Sequence, residues 1–226
     1  MDLMQALRDR HAVRSYTDQK IEEPVLQALR EEIAACNGQG GLDIQLVTDE
    51  PEAFGSLMAR CSGFRGVRNY LLLAGEDTPD LPQRAGYFGQ RLALRAGQLG
   101  LNSCWVAGTY RKNRCAAVLK EGQKLVCVIA LGHGTTQGIA HKSKPLSALC
   151  RVNGPMPDWF RAGMEAAMLA PTAMNQQKFI VSLADGAVQV HATGGSCAEV
   201  NVGIVKYQFE CGAGQTCFLS QIQAVC

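Results

Sequence analysis

Most signatures that settle a function at sight are missing from this chain of 226 residues. There is no Gly-x-x-x-x-Gly-Lys phosphate loop, no Gly-x-Ser-x-Gly elbow, no His-Glu-x-x-His pair, and no conspicuous set of paired carboxylates or of Ser, His and Asp. Phosphate-loop, serine-hydrolase and zinc-protease readings therefore have nothing to stand on. Ten cysteines are present, but none forms a Cys-x-x-Cys pair or a zinc-ligand spacing. Charge of one sign is lacking too: 22 Lys and Arg against 20 Asp and Glu leave a formal charge of +2. With the cations scattered rather than gathered into runs, nucleic acid is not an expected partner. No stretch approaches the roughly 20 apolar residues of a membrane span. The opening Met1-Asp-Leu-Met-Gln-Ala-Leu-Arg8 lacks the basic start and apolar core of a secretory signal. These absences point to a reducing cytoplasm, with the cysteines as free thiols, several of them set in apolar runs as small hydrophobes.

What is present is an ordinary globular composition, 47% hydrophobic and 19% charged, in a chain long enough for one large domain or two small ones. Apolar spacing predicts a short helix over residues 2–10. A second starts at Pro24, carries Val25, Leu26, Leu29 and Ile33, and stops at Asn37-Gly38. Strand patterns occupy Asp43–Val47, Tyr70–Ala74, Ser103–Ala107 and Leu125–Leu131; Asp49 and Glu52 read as the start of a helix towards Arg60, and a long helix spans Pro82–Leu99. Asn153-Gly-Pro-Met-Pro157 is the clearest break. Beyond it come a helix over 158–169, a hairpin turning at Asp185-Gly186, and a helix through Val200, Ile204, Tyr207 and Cys211, opened by a Ser196-x-x-Glu199 capping box and closed by Gly212. The fold class is α+β. The helix and strand order of residues 22–100 recurs roughly in 157–212, which raises an internal pseudo-dimer with halves 1–150 and 155–226 beside a single domain 1–226.

Three clusters carry candidate chemistry. Arg10-His-Ala-Val-Arg-Ser-Tyr16 sets two permanently charged guanidiniums four residues apart, facing one side of a helix end, where they suit a phosphate or carbonyl oxygens as readily as they offset a helix dipole. In His141-Lys-Ser-Lys-Pro-Leu146, Lys142 and Lys144 share a side if the segment is extended, which suits a phosphate or a solvated loop. In Ala170-Pro-Thr-Ala-Met-Asn-Gln-Gln-Lys-Phe179, Pro171 ends a helix, and Thr172, Asn175 and Gln177 bring groups that both donate and accept hydrogen bonds. Such groups serve a ligand or the turn's own backbone. Cys104 reads as core, and Gly132-His-Gly134 lacks the third glycine of a dinucleotide turn.

The Ala170–Phe179 stretch resembles the Ala-Pro-Ser-x-x-Asn-x-Gln-Pro-Trp segment of the flavin-dependent nitroreductase family. The Arg10–Tyr16 stretch resembles that family's Arg-Arg-Ser-x-Arg-x-Phe motif. Lys142-Ser-Lys-Pro-Leu146 after Ala130-Leu-Gly132 is similar to its Arg-x-Lys-Pro-Leu segment. The resemblance implies a mixed or antiparallel central sheet flanked by helices, FMN as cofactor, NAD(P)H as electron donor, and a small acceptor such as a nitroaromatic or quinone. It implies cofactor contacts from Arg10, His11, Arg14, Lys142, Lys144, Pro171, Thr172, Asn175 and Gln177, with Arg14 near flavin N1 and O2 and Arg10, Lys142 and Lys144 on the phosphate. No side chain is assigned a catalytic role, because the cofactor carries the electron chemistry. Ala12 stands where the family has Ser, and Lys178-Phe179 replaces Pro-Trp. Residues 34–42, where the family has its Pro-Ser-x-x-Asn motif, do not match it. This order resembles a branch in which two related halves of one chain imitate the usual homodimer, so monomer and homodimer both stay open. A flavin- or small-ligand-binding protein without turnover is the alternative.

Overall fold

The computed structural model describes residues 1–222. Helix α1 (Leu3–Asp9) starts where the Asp2 carboxylate accepts the Gln5 N–H at 2.7 Å. Helix α2 (Glu23–Gly40) outruns its expected stop and ends on Gly41 in the left-handed conformation, φ 55°. Asn37, read as a terminator, instead fastens the incoming strand: its side chain donates to Ile44 O (3.0 Å) and accepts from Ile44 N (2.8 Å). Strand β1 (Gln45–Val47) follows, then the short helix α3 (Leu57–Cys61).

The helix expected from Asp49 does not form. Asp49 has φ 55°, and the Glu50 carboxylate accepts the N–H groups of Glu52 and Ala53 in a turn. Ser56 is the cap, accepting from Ala59 N at 3.0 Å.

Strand β2 (Asn69–Glu76), helix α4 (Leu81–Gln98), and strands β3 (Asn102–Val106) and β4 (Gln123–Gly132) fall on the predicted runs. The order across their sheet is β1-β2-β4-β3, antiparallel throughout. Alternation along β2 decides what covers each face. Leu71 and Leu73 join α2 and α4 in the larger core, whereas Tyr70 and Leu72 face Val13, Tyr16, Phe54, Phe64 and Tyr110. Burying each such side chain contributes about 2–3 kcal/mol.

The second half adds helix α5 (Leu146–Leu149), strand β5 (Cys150–Val152), helix α6 (Asp158–Ala167), the hairpin β6 (Phe179–Ala184) and β7 (Ala187–Ala192), helix α7 (Ala198–Ala213) and helix α8 (Leu219–Ile222). Strand β5 pairs parallel with β6, and β6 antiparallel with β7, so a second, three-stranded sheet exists beside the first. Helices α4 and α7 lock the halves together. Glycine permits their approach: a Cβ on Gly203 would lie 2.0 Å from Gln83 O, and one on Gly86 would lie 2.1 Å from Val200 O.

The capping box at Ser196 is not made. Cys197 holds the N-cap position at φ 53° with no side-chain bond, and Glu199 instead accepts from Gln83 on α4 (2.5 Å). Nor does Gly212 close α7; Gly214 does, at φ 65°, while Gly212 abuts the Ala162 carbonyl of α6. Nine cysteines among the described residues are free thiols; Cys226 lies outside them. Among the described residues no helix is long and apolar enough to cross a membrane, and no cluster could hold a metal ion.

Candidate active site

A cavity of about 770 Å³ opens between the two halves, within the roughly 300–1,000 Å³ typical of small-molecule sites. One wall is the segment that leaves α1. The helix stops at Asp9, and Arg10 is already extended (φ −69°, ψ 100°), so Arg10 and Arg14 do not share a helix face as the sequence suggested. The chain runs on as a strand-like strap. Val13 N bonds Ser103 O at 3.1 Å, Arg65 N bonds Arg14 O at 2.9 Å, and Tyr16 N bonds Arg65 O at 3.0 Å. In an extended strap alternate residues share a side. Arg10, Ala12 and Arg14 follow that alternation in lining the cavity and Val13 in entering the core; His11, which also lines the cavity, and Tyr16, which enters the core, depart from it.

Arg10 is the electrostatic focus of this wall. Only 9% of it is exposed, and its Nε and Nη1 have no hydrogen-bond partner. Burial pulls its pKa down to about 10, with the neighbouring Cys104 acting in the opposite direction. A buried guanidinium with unspent N–H groups is costly unless something accepts them. Arg14 is exposed and sits 6.0 Å from the centroid of the Phe64 ring.

Cys104, Trp105 and Val106 of β3 and Val126 and Cys127 of β4 also line the cavity. Trp105 is fixed by donation from its indole N–H to Gln90 Oε1 at 3.0 Å. Burial raises the Cys104 and Cys127 thiols, so both stay protonated at neutral pH.

The opposite wall is the turn after α6, with Pro171, Thr172, Ala173, Met174 and Asn175, and the start of α7, with Ser196, Cys197, Val200, Asn201 and Ile204. Met174, Asn175 and Gln177 all have positive φ (53°, 53° and 47°), a conformation that costs non-glycine residues about 1–3 kcal/mol each. Side chains hold it. Thr172 Oγ1 accepts from Gln177 N (3.0 Å), and Asn201 bridges by accepting from Ala173 N and donating to Ser196 O (both 3.0 Å). Nothing in the spacing marked Asn201; the available signal was an amide inside the apolar run Val200–Val205.

The remaining sequence-predicted residues divide. Gln177 does not line the cavity. Its Nε2 donates to Lys142 O and Asn175 Oδ1 (both 2.9 Å), and its Oε1 accepts from Lys144 N at 2.8 Å. Asn175 reaches the cavity but also donates to Lys142 O at 3.1 Å. Lys142 and Lys144 are exposed and outside the cavity lining, and Lys144 Nζ donates to Gln177 O at 3.1 Å. From their loop it is His141 that lines the cavity, its Nε2 bonded to Met168 O at 3.0 Å.

The family described as "Putative TM nitroreductase" matches residues 2–213. The chain belongs to this nitroreductase family. No curated protein matches its sequence. Among solved structures, this nitroreductase-family chain is similar to a putative nitroreductase from Thermotoga maritima MSB8, at 18% identity and a TM-score of 0.64, over 92% of this chain and 82% of that one. It is also similar to a putative nitroreductase from Desulfovibrio desulfuricans solved in complex with FMN, at 19% identity and a TM-score of 0.53, over 70% and 99% of the two chains. A putative NADH dehydrogenase/NAD(P)H nitroreductase from Bacteroides thetaiotaomicron aligns at 20% identity and a TM-score of 0.50, over 65% and 95%. The α+β arrangement, antiparallel strands flanked by helices, is the nitroreductase-like fold.

Proposed function

We propose that this cavity binds FMN and that the chain is an FMN-dependent oxidoreductase. One observation carries the reading: Arg10, a buried guanidinium whose Nε and Nη1 have no hydrogen-bond partner, lines a cavity of cofactor size. The donor set fits FMN, whose phosphate and carbonyl oxygens accept from arginine. When bound, FMN would supply the two-electron chemistry at N5 between NAD(P)H and a small acceptor such as a nitroaromatic or quinone.

The protein's part is to bind, orient and keep out water. Arg10 grips the phosphate, with His11 beside it. Arg14, which lines the same cavity, would supply positive charge that favours the reduced cofactor at its N1 and O2 edge. Thr172, Asn175 and Asn201 shape the facing wall, Pro171 sets the turn, and Gln177 ties that turn to Lys142 and Lys144, whose ammonium groups give at most a distant field. Phe64, Trp105 and Val106 exclude water.

The walls come from both halves of one chain. Apart from the short helix α3 between β1 and β2, the order α2-β1-β2-α4 is echoed by α6-β6-β7-α7, with α4 packed on α7. These features support an internal pseudo-dimer in which a monomer suffices for the site. The free thiols suit a reducing cytoplasm.

Purified protein is expected to be yellow, with flavin released on denaturation, and NAD(P)H is expected to bleach it without oxygen. Colourless protein that refuses added FMN rejects the reading. Bound flavin that no nicotinamide donor reduces leaves a binding protein without turnover.

A further inference from the structure

Cations that are scattered along the chain are gathered by the fold. Residues 53–75 carry Arg60, Arg65 and Arg68, and residues 106–120 carry Arg111, Lys112, Arg114 and Lys120. These two stretches hold seven of the 22 Lys and Arg residues and none of the 20 Asp and Glu. The Phe54 ring joins them, with centroids 5.3 Å from Phe64 and 6.2 Å from Tyr110, and Arg111 N donates to Ala53 O at 2.8 Å.

All seven side chains are exposed, and none has a carboxylate partner among the described residues. Both stretches reach the cavity, through Ser62 and Phe64 on one side and Val106–Thr109 on the other. Arg14 packs beside Gly63 and adds a further cation. Lys112 lies near enough to Cys127, a cavity residue, to oppose the rise of its thiol pKa. Of the acids bordering the two stretches, Asp49 lies 3.8 Å from Lys20, Asp77 pairs with Lys124 and Glu50 accepts from the Tyr70 hydroxyl, while Glu52, Glu76 and Glu121 have no ion-pair partner among the described residues.

We propose that this cation-rich wall docks the phosphates of a phosphorylated adenine dinucleotide, so that the chain takes NADPH in preference to NADH. NADPH differs by a 2′-phosphate, which adds about −1.5 to −2 charge near neutral pH. Exposed guanidiniums meet such a group with forked hydrogen bonds. Leu57 and Met58 are 76% and 62% exposed on the helix that carries Arg60, and Leu57 and Arg60 share its face. That apolar ledge suits an adenine ring, and inorganic phosphate has no use for it. The proposal rests on the cavity being a flavin site served by a nicotinamide donor.

The test is calorimetric titration of the full chain with 2′,5′-ADP, 5′-AMP and inorganic phosphate. At low salt 2′,5′-ADP is expected to bind about tenfold tighter than 5′-AMP, to lose affinity as salt rises, and to resist competition by phosphate. Arg60, Lys112 and Arg114 side chains donate no hydrogen bond among the described residues, so R60S/K112S/R114S is expected to melt with the wild type. It is expected to lose about tenfold on 2′,5′-ADP and on kcat/KM for NADPH, with 5′-AMP, NADH and FMN affinity little changed. Equal binding of the two nucleotides, a preference kept by the triple variant, or ready displacement by phosphate overturns the proposal. Protein that takes up no FMN refutes the flavin reading instead, and the titration needs no flavin to judge the wall.

Discussion

The two walls of the cavity use polar side chains in opposite ways. On the strap, backbone bonds to Ser103 and Arg65 do the holding, and the Arg10 guanidinium is left with unspent donors. On the facing turn the backbone is contorted, and Thr172, Asn175, Gln177 and Asn201 are consumed in holding it. A motif residue can thus serve a cofactor by touching it or by building the turn that does. Only the bookkeeping of hydrogen bonds tells the two apart.

The sharpest way to break this contrast is to compare stability with affinity on each wall. Gln177→Ala leaves Lys142 O and Lys144 N short of a buried partner and is expected to cost about 2–3 kcal/mol in urea unfolding. Weakened FMN binding should follow from the loosened turn. Arg10→Met is expected to do the reverse: FMN affinity falls about 30-fold by calorimetry, while the apo-protein gains up to about 1 kcal/mol because an uncompensated buried charge is gone. Loss of stability in Arg10→Met would mean the guanidinium is structural after all.

Asn201→Ala separates α7 from the turn and is expected to cost about 1–2 kcal/mol, with a several-fold loss of FMN affinity. The double substitution Lys142→Ala/Lys144→Ala should change FMN affinity by about threefold or less, since both side chains are exposed. A larger loss would return the phosphate to the lysines. The smallest effect concerns pH. Burial lowers the Arg10 pKa only to about 10, so the charged form persists below that value. FMN affinity is therefore expected to stay flat from pH 7 to 9 and to fall only as pH rises through 10. A decline already complete by pH 8 would point to another group.

Much of the fold was legible because long periodic elements announce themselves. Helices α2, α4 and α7 repeat apolar residues at three- and four-residue spacing, and Asp185-Gly186 marks its hairpin. Strand β5 was not legible, since three residues have no period and its parallel partner β6 lies about 30 positions on. The Ser196 box failed because Gln83, on a distant helix, takes Glu199. Asp49 failed as a cap because its own backbone is left-handed.

At the site, Arg10 and Arg14 both line the cavity but from an extended strap rather than a helix end, since a spacing of four puts two side chains together on either. Asn201 escaped because its role is set by a turn 28 residues earlier. The cation-rich wall escaped because its two stretches lie far apart in the chain and meet through contacts such as Phe54 with Tyr110 and Arg111 N with Ala53 O.

Both cavity walls belong to one polypeptide, residues 10–14 on one side and 171–204 on the other. In a two-fold symmetric assembly each substitution is imposed on two sites at once. Under the proposed pseudo-dimer an inherited change would land on a single wall of a single site, and the strap could drift without dragging a symmetry-related copy along.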